Sequence, residues 1–310
     1  MKLLQRINTI FQNATSLKGS QYRVMATSPR HFSWKEWRIA LIETKNSIGT
    51  KNIGILSAGI AYFATLAFFP LIAAGVAIAA FVINDHELQN VVHNLEMYLP
   101  ADIASLISSQ LKNALGNNSA NIAVAVVAIL LSLFSVSGAT QNAITATNII
   151  YEREESRHFI KLRLLSLLMT IGLVVISFIS IGLLVINDGM LRHIGTPDLL
   201  IVLISFLRWF ILAFMVAGSL AVFYRYGPDR KSAHWQWVSW GAVIATIIWL
   251  LGTTVFFVYA QYFANFSDTY SLFAGIIVLM TWLNLSAFVV LLGATINHRL
   301  EARTVRKTSK

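Results

Sequence analysis

Apolar residues fall in long blocks along this chain, and the blocks set its architecture. Six stretches, at about 53–83, 120–150, 163–186, 199–223, 238–262 and 271–297, each contain an uninterrupted, helix-compatible apolar run. A helix needs roughly 20 such residues to cross a bilayer. Backbone groups in hydrocarbon must bond within their own segment, so runs of this length predict helices. The first two are longer than a crossing requires, which predicts tilt or extension beyond the membrane.

Two stretches outside the blocks keep a helical period instead. In "WKEWRIALIETKNSI", Trp34, Trp37, Leu41 and Ile48 fall near one side with basic residues among them. That pattern suits a helix lying at the membrane surface. After the first block, Asp85 can cap a helix bearing Leu88, Val91, Val92, Leu95 and Leu99, and Pro100 opens another bearing Ile103, Leu106, Ile107 and Leu111. These predict a helical hairpin over the outer face of the bundle.

Charge orients the blocks. Residues 1–52, 151–163, 224–236 and 298–310 carry nine, four, three and five lysines and arginines, while 84–119, 187–198 and 263–270 carry one, one and none. The positive-inside rule then places both termini in the cytoplasm. The formal charge of +10 therefore faces the inner leaflet, and no basic stripe interleaved with aromatics points to nucleic acid. Only 12% of residues are charged and 56% are hydrophobic, against about 25% charged in soluble domains. The expected fold is all-α: six transmembrane helices (53–297) between a basic, amphipathic segment (1–52) and a basic tail (298–310).

The chemistry is sparse. Cysteine is absent, which excludes disulfides, thiolate metal sites and cysteine nucleophiles. The seven histidines form no H-x-H or H-E-x-x-H pattern, and no G-x-S-x-G or phosphate-cradling glycine loop occurs. No catalytic set, metal site or cofactor is expected.

Two features stand out within the blocks. Arg208 lies nine residues past Leu199, roughly 14 Å into the membrane at about 1.5 Å per residue. An arginine there is costly unless it meets a cavity or a partner. It either docks an anionic group, such as a lipid phosphate, or ties neighbouring helices together. The second feature is "SVSGATQNAITATNIIYE". Here Ser137, Gln141, Thr145, Asn148 and Glu152 share one helical face, and Ala139, Ala143, Ala146 and Ile150 another. The small face suits close packing. The polar face either bonds to neighbouring helices or lines a wet path.

Five segments together resemble the YihY/BrkB family, also named ribonuclease BN-like. They are "SAGIAYFATLAFFPL", with Ala58, Tyr62, Phe63, Phe69 and Pro70; "GATQNAITATNIIYEREE", with Gly138, Ala139, Ala146, Asn148 and Tyr151; "FLRWF", with Arg208 and Trp209; "YRYGPDRK", with Tyr224, Arg225 and Pro228; and the last block, with Thr269, Tyr270, Trp282, Ser286, Gly293, Ala294 and Asn297. The resemblance covers about 40–305. It departs at Ser271, where the family often has glycine, and at Thr295, where it often has an acid. It implies a multi-pass protein of the bacterial inner membrane, in a family with members linked to virulence or serum resistance. Together with Arg208 and the polar face, it leads to an expected transporter or flippase of an anionic or amphipathic substrate, such as a lipid. A non-transporting envelope scaffold and a membrane enzyme are the alternatives.

Overall fold

The computed structural model describes residues 32–82, 122–185, 188–193, 195–230, 235–263 and 271–302. Eight helices make up the described residues: α1 Trp34–Thr50, α2 Ile53–Val82, α3 Ile122–Ile150, α4 Phe159–Val185, α5 Asp188–His193, α6 Asp198–Tyr226, α7 Trp235–Phe263 and α8 Ser271–Ala302. The hairpin expected between 85 and 111 lies outside them.

Among the described residues, five stretches are long and apolar enough to cross a membrane: Ile129–Ile150, Phe159–Ser180, Asp198–Tyr226, Trp240–Ala260 and Gly275–Ala302. A sixth crossing is read through α2, whose 30 residues contain no charged side chain. Helix α2 runs unbroken through Pro70. The structure adds a short helix, α5, and starts α4 at Phe159 rather than 163. That takes Lys161 and Arg163 into the helix.

The six long helices close a ring. Helix α2 packs on α3 and α8, α3 on α4, α6 on α7, and α7 on α8, while α3 also touches α8 across the middle. The α4–α6 joint is the loosest link in the ring. Only 6% of the α6 window is buried inside the protein, so most of that helix faces outward.

The tightest packing gathers at one end. Ile53, Ala146, Ile150, Tyr151, Tyr224, Ala242, Leu291 and Ala294 form a buried cluster there. This is the end where the lysine-rich and arginine-rich connections meet, and it is called the basic end below. Helix α1 seats its small residues Ala40, Thr44 and Ser47 against α8. It meets α2 at an elbow of 65°, with Asn52 at φ 50° on the bend. If α2 stands roughly upright, α1 lies close to the membrane plane. Trp34 and Leu41 on α1 are exposed, and Trp37 instead packs edge-on against Phe32 and Trp240.

Candidate functional site

The end of α3 answers how the polar stretch stops. Glu152 takes a left-handed conformation, φ 54°. Its N–H donates to the Ile149 carbonyl (3.2 Å), and the Arg153 N–H donates to the Asn148 carbonyl (2.9 Å). These two bonds form a Schellman ending, which usually uses glycine at the left-handed position. Here the side chain has work to do. The Lys51 ammonium donates to the Glu152 carboxylate (2.8 Å) and to the Ile150 carbonyl (2.5 Å). One lysine at the α1–α2 elbow thus caps α3.

The other connections join the same knot. Asn148 donates to Glu155 (2.8 Å) and accepts from the Asp229 backbone N–H (2.8 Å). Asp229 accepts from the Ser156 hydroxyl and N–H. Arg157 pairs with Glu155 and donates to the Gly227 carbonyl (2.8 Å). Arg230 donates to Glu301 (2.8 Å) and to the Tyr224 carbonyl, with its guanidinium 3.9 Å over the Tyr151 ring. Arg299 donates to the Ser47 hydroxyl (2.7 Å). Burial pushes the Tyr151 hydroxyl up to about 12, so it stays a neutral phenol under the cation.

Close helix crossings complete the knot. The buried Tyr224 hydroxyl donates to the Val290 carbonyl (2.7 Å), and the Asn297 side chain accepts from the Gly241 N–H (2.8 Å). A Cβ on Gly293 would fall on the Tyr224 hydroxyl, and one on Gly241 would fall on the Asn297 carboxamide. Glycine is needed at both positions for close approach, not for an unusual φ.

Three carboxyls of the knot carry a pH dependence. Lys51 holds Glu152 below its ordinary value near 4.5, Arg157 does the same for Glu155, and Ser156 holds Asp229 below 3.8. A depressed carboxylate contributes stability above its unfolded value and loses it as pH falls through the folded one. The contribution of these carboxyls to the melting temperature in detergent should therefore be constant near neutral pH and be lost once the pH drops below about 4.5. In Glu152→Gln the low-pH fall should be shallower. A melting temperature that is unchanged down to the acid limit would refute the reading.

The polar face of α3 is largely bonded within the protein. Ser137 is buried and donates to the Phe134 carbonyl (2.7 Å), and exposed Thr145 donates to the Gln141 carbonyl (3.1 Å). Gln141 accepts from Arg163 on α4 (2.9 Å), and Asn148 belongs to the knot. Arg208 is half-buried on outward-facing α6, and Trp209 beside it is 61% exposed.

A cavity does lie in the loose α4–α6 joint, with a volume of about 890 Å³. The small face of α3 lines it through Ala139 and Ala143, opposite Gly172 of α4 and Gly218 of α6. Its serine and threonine hydroxyls are occupied: Thr140 bonds Thr170 (2.8 Å), Ser219 donates to the Met215 carbonyl (2.7 Å), and Ser286 accepts from Trp249 (2.9 Å). The wall left is apolar. Its rim residues Leu168, Phe214 and Tyr226 are exposed, so the space opens to the side of the bundle. Neither Arg208 nor Ser137, Gln141, Thr145 and Asn148 line it.

Other motif residues divide between the two regions. Tyr62 is half-exposed against Phe63, and Ala58 is exposed. The Pro70 carbonyl accepts from Ser132 (2.5 Å), and the Gly138 carbonyl accepts from Asn142 (2.9 Å). Arg225 lies 5.4 Å over the Tyr226 ring, Pro228 is buried in the α6–α7 connection, and Trp282 packs on Trp249. The side chains of Phe69 and Tyr270 lie outside the described residues. Asn284 accepts from Ser57 across helices (2.8 Å). Among the described residues no three His, Asp or Glu gather as metal ligands. Sequence reasoning missed Arg163, which counts as an ordinary basic residue near a span end. It also missed Gly241, which nothing local marks.

A ring of apolar helices, tied at one basic end and loose at one seam, defines a multi-pass helical membrane protein. The family profile "Virulence factor BrkB" matches residues 46–310, and the chain belongs to the BrkB/YihY family. It is 32% identical over 251 residues to the ribonuclease-like protein YfkH of Bacillus subtilis, covering 80% of this chain and 90% of that one. It is 27% identical over 210 residues to a UPF0761 membrane protein of Idiomarina loihiensis, covering 67% and 72%. A Vibrio cholerae UPF0761 membrane protein shares 34% over 100 residues, 32% of each chain. No solved structure matches.

Proposed function

We propose that this protein takes an amphipathic, lipid-like molecule from the bilayer into the α4–α6 cavity and moves it across the membrane. The observation that carries this reading is the apolar, side-opening space of about 890 Å³, within the roughly 300–1,000 Å³ usual for ligand sites. An acyl chain entering it gives up no hydrogen bonds and meets none left open. Tyr226, at the basic end of the cavity with Arg225 over its ring, offers a polar border for a headgroup.

The scaffold reading draws on a separate observation. The polar face of α3 bonds mostly to its own helix, to Arg163 and to the knot, as glue between helices does. A ribonuclease reading has only the name of a relative behind it. It predicts RNA cleavage by the purified protein, for which the sequence offers no catalytic set.

Cavity filling separates the readings. A Cβ added at Gly172 or Gly218 meets nothing within 4 Å, so Gly172→Phe and Gly218→Phe should fold and occupy the space. In vesicles carrying a fluorescent phospholipid, the wild type should move it between leaflets and both variants should be at least about ten-fold slower, an effect of roughly 1.4 kcal/mol on the barrier. Equal rates in folded variants sink the cavity reading. If Arg208→Ala stops movement while the glycine variants do not, the charge-docking reading replaces it.

A further inference from the structure

We propose that Arg163, with Gln141, forms a docking site for a phosphate anion on the outward face of the α3–α4 pair, and that a phospholipid headgroup supplies it. The site stands apart from the cavity. The cavity is lined by Val136, Ala139, Thr140 and Ala143 of α3. Phe134, Gln141 and Thr145 fall on the opposite face by helical spacing.

Arg163 is a cation held in place without an acid. Its guanidinium donates to Gln141 Oε1 (2.9 Å) and to the Phe134 carbonyl (2.8 Å), and it stacks 3.8 Å over the Phe134 ring. Among the described residues no carboxylate pairs with it, since the ion pairs here involve Lys51, Arg157, Arg192, Arg230 and His298. Its Nε–H is buried and makes no hydrogen bond. The two neutral acceptors orient the guanidinium but leave its charge uncompensated. An arginine planted in an apolar span and left so is costly. Each terminal nitrogen makes one bond here and keeps a second N–H, and a planar fork with such spare groups is the geometry that phosphate oxygens match.

The surroundings select a lipid as the source. Arg163 lies in the first two turns of α4, where the apolar window opens at Phe159. From that level the face of α3 continues away from the basic end through Phe134, Leu131 and Leu130, all more than half exposed. Ile160 and Leu164 flank Arg163 on α4 and are exposed too. A phosphate at Arg163 would therefore have open apolar side chains running from it toward the bilayer interior, as acyl chains require.

Gln141→Glu provides the test, because it is isosteric and sets a carboxylate on the guanidinium, satisfying the charge internally. The full chain would be placed in nanodiscs of phosphatidylglycerol and phosphatidylcholine in equal parts, and retained lipid read by native mass spectrometry. The wild type should keep phosphatidylglycerol in preference. Gln141→Glu and Arg163→Gln should each lose that preference by roughly ten-fold or more, about 1.4 kcal/mol. Gln141→Glu should also melt higher than the wild type. Competition by inorganic phosphate alone would keep the anion site and make its ligand soluble. Wild-type preference surviving in folded Gln141→Glu overturns the proposal, as does cross-linking that shows an acid of a second copy on Arg163. Failure here leaves the cavity reading untouched, because its variants sit at Gly172 of α4 and Gly218 of α6, which line the cavity and not the Arg163 face of α3.

Discussion

Gly293→Ala should destabilise the protein by roughly 2–4 kcal/mol. The new methyl lands on the Tyr224 hydroxyl and the Ala245 methyl, with the Gly241 carbonyl just beyond. Moving Tyr224 breaks its bond to the Val290 carbonyl and leaves a hydroxyl buried without a partner. Moving α8 instead opens the crossing with α7, where Asn297 bonds the Gly241 N–H. Thermal unfolding in detergent reads the loss directly. Tyr224→Phe on top of Gly293→Ala should recover part of it, because it removes the first atom in the way. It should not recover all, since the Ala245 methyl remains. An unchanged melting temperature for Gly293→Ala would show that α7 and α8 can separate freely, and that the knot is not tight.

The second large effect belongs to Arg230. Its side chain is only 6% exposed and joins three elements: Glu301 at the end of α8, the last turn of α6 through the Tyr224 carbonyl, and Tyr151 after α3. Arg230→Ala should cost about 2–3 kcal/mol, below the roughly 3–5 kcal/mol of fully buried pairs because Glu301 reaches solvent. Arg230→Lys keeps the charge but not the fork, so it cannot serve Glu301 and the Tyr224 carbonyl together. It should recover less than half of the loss. Full recovery by lysine would mean that charge alone matters at this site and that the geometry described for it does not. Neither variant touches a residue that lines the cavity.

The helices were legible because hydrocarbon leaves the backbone no choice, and blocks of apolar residues carry that constraint openly. The rotation of each helix was not. Ala139 and Ala143 read as a packing face because small residues usually sit where helices touch. In α3 they border open space instead, since α4 and α6 barely meet and no bulky neighbour fills the gap. The depth of Arg208 follows from counting residues, but the direction of its side chain depends on α6 lying at the edge of the ring. Arg163 was hidden by the rule that locates cytoplasmic loops: a basic residue beside a span end counts as an anchor, whichever way its side chain turns. The knot was legible in part. Asn148, Tyr151, Tyr224 and Asn297 came in through the family pattern, but Lys51 reaches Glu152, Ser47 reaches Arg299 and Gly241 reaches Asn297 only across the fold, and no local spacing reports that.

The bond from Arg299 to Ser47 joins positions 252 apart, and it sets a timetable. Helix α1 rests on α8, so the earliest of the described helices to leave the ribosome finds its seat only after the last of them has entered the membrane. Until then Lys51 can already cap α3, but Arg230 still lacks Glu301. A nascent chain with five spans inserted is therefore a half-closed ring with a buried-type arginine unpaired. Cells that stall or trim this protein near its final helix should see it degraded, not merely shortened.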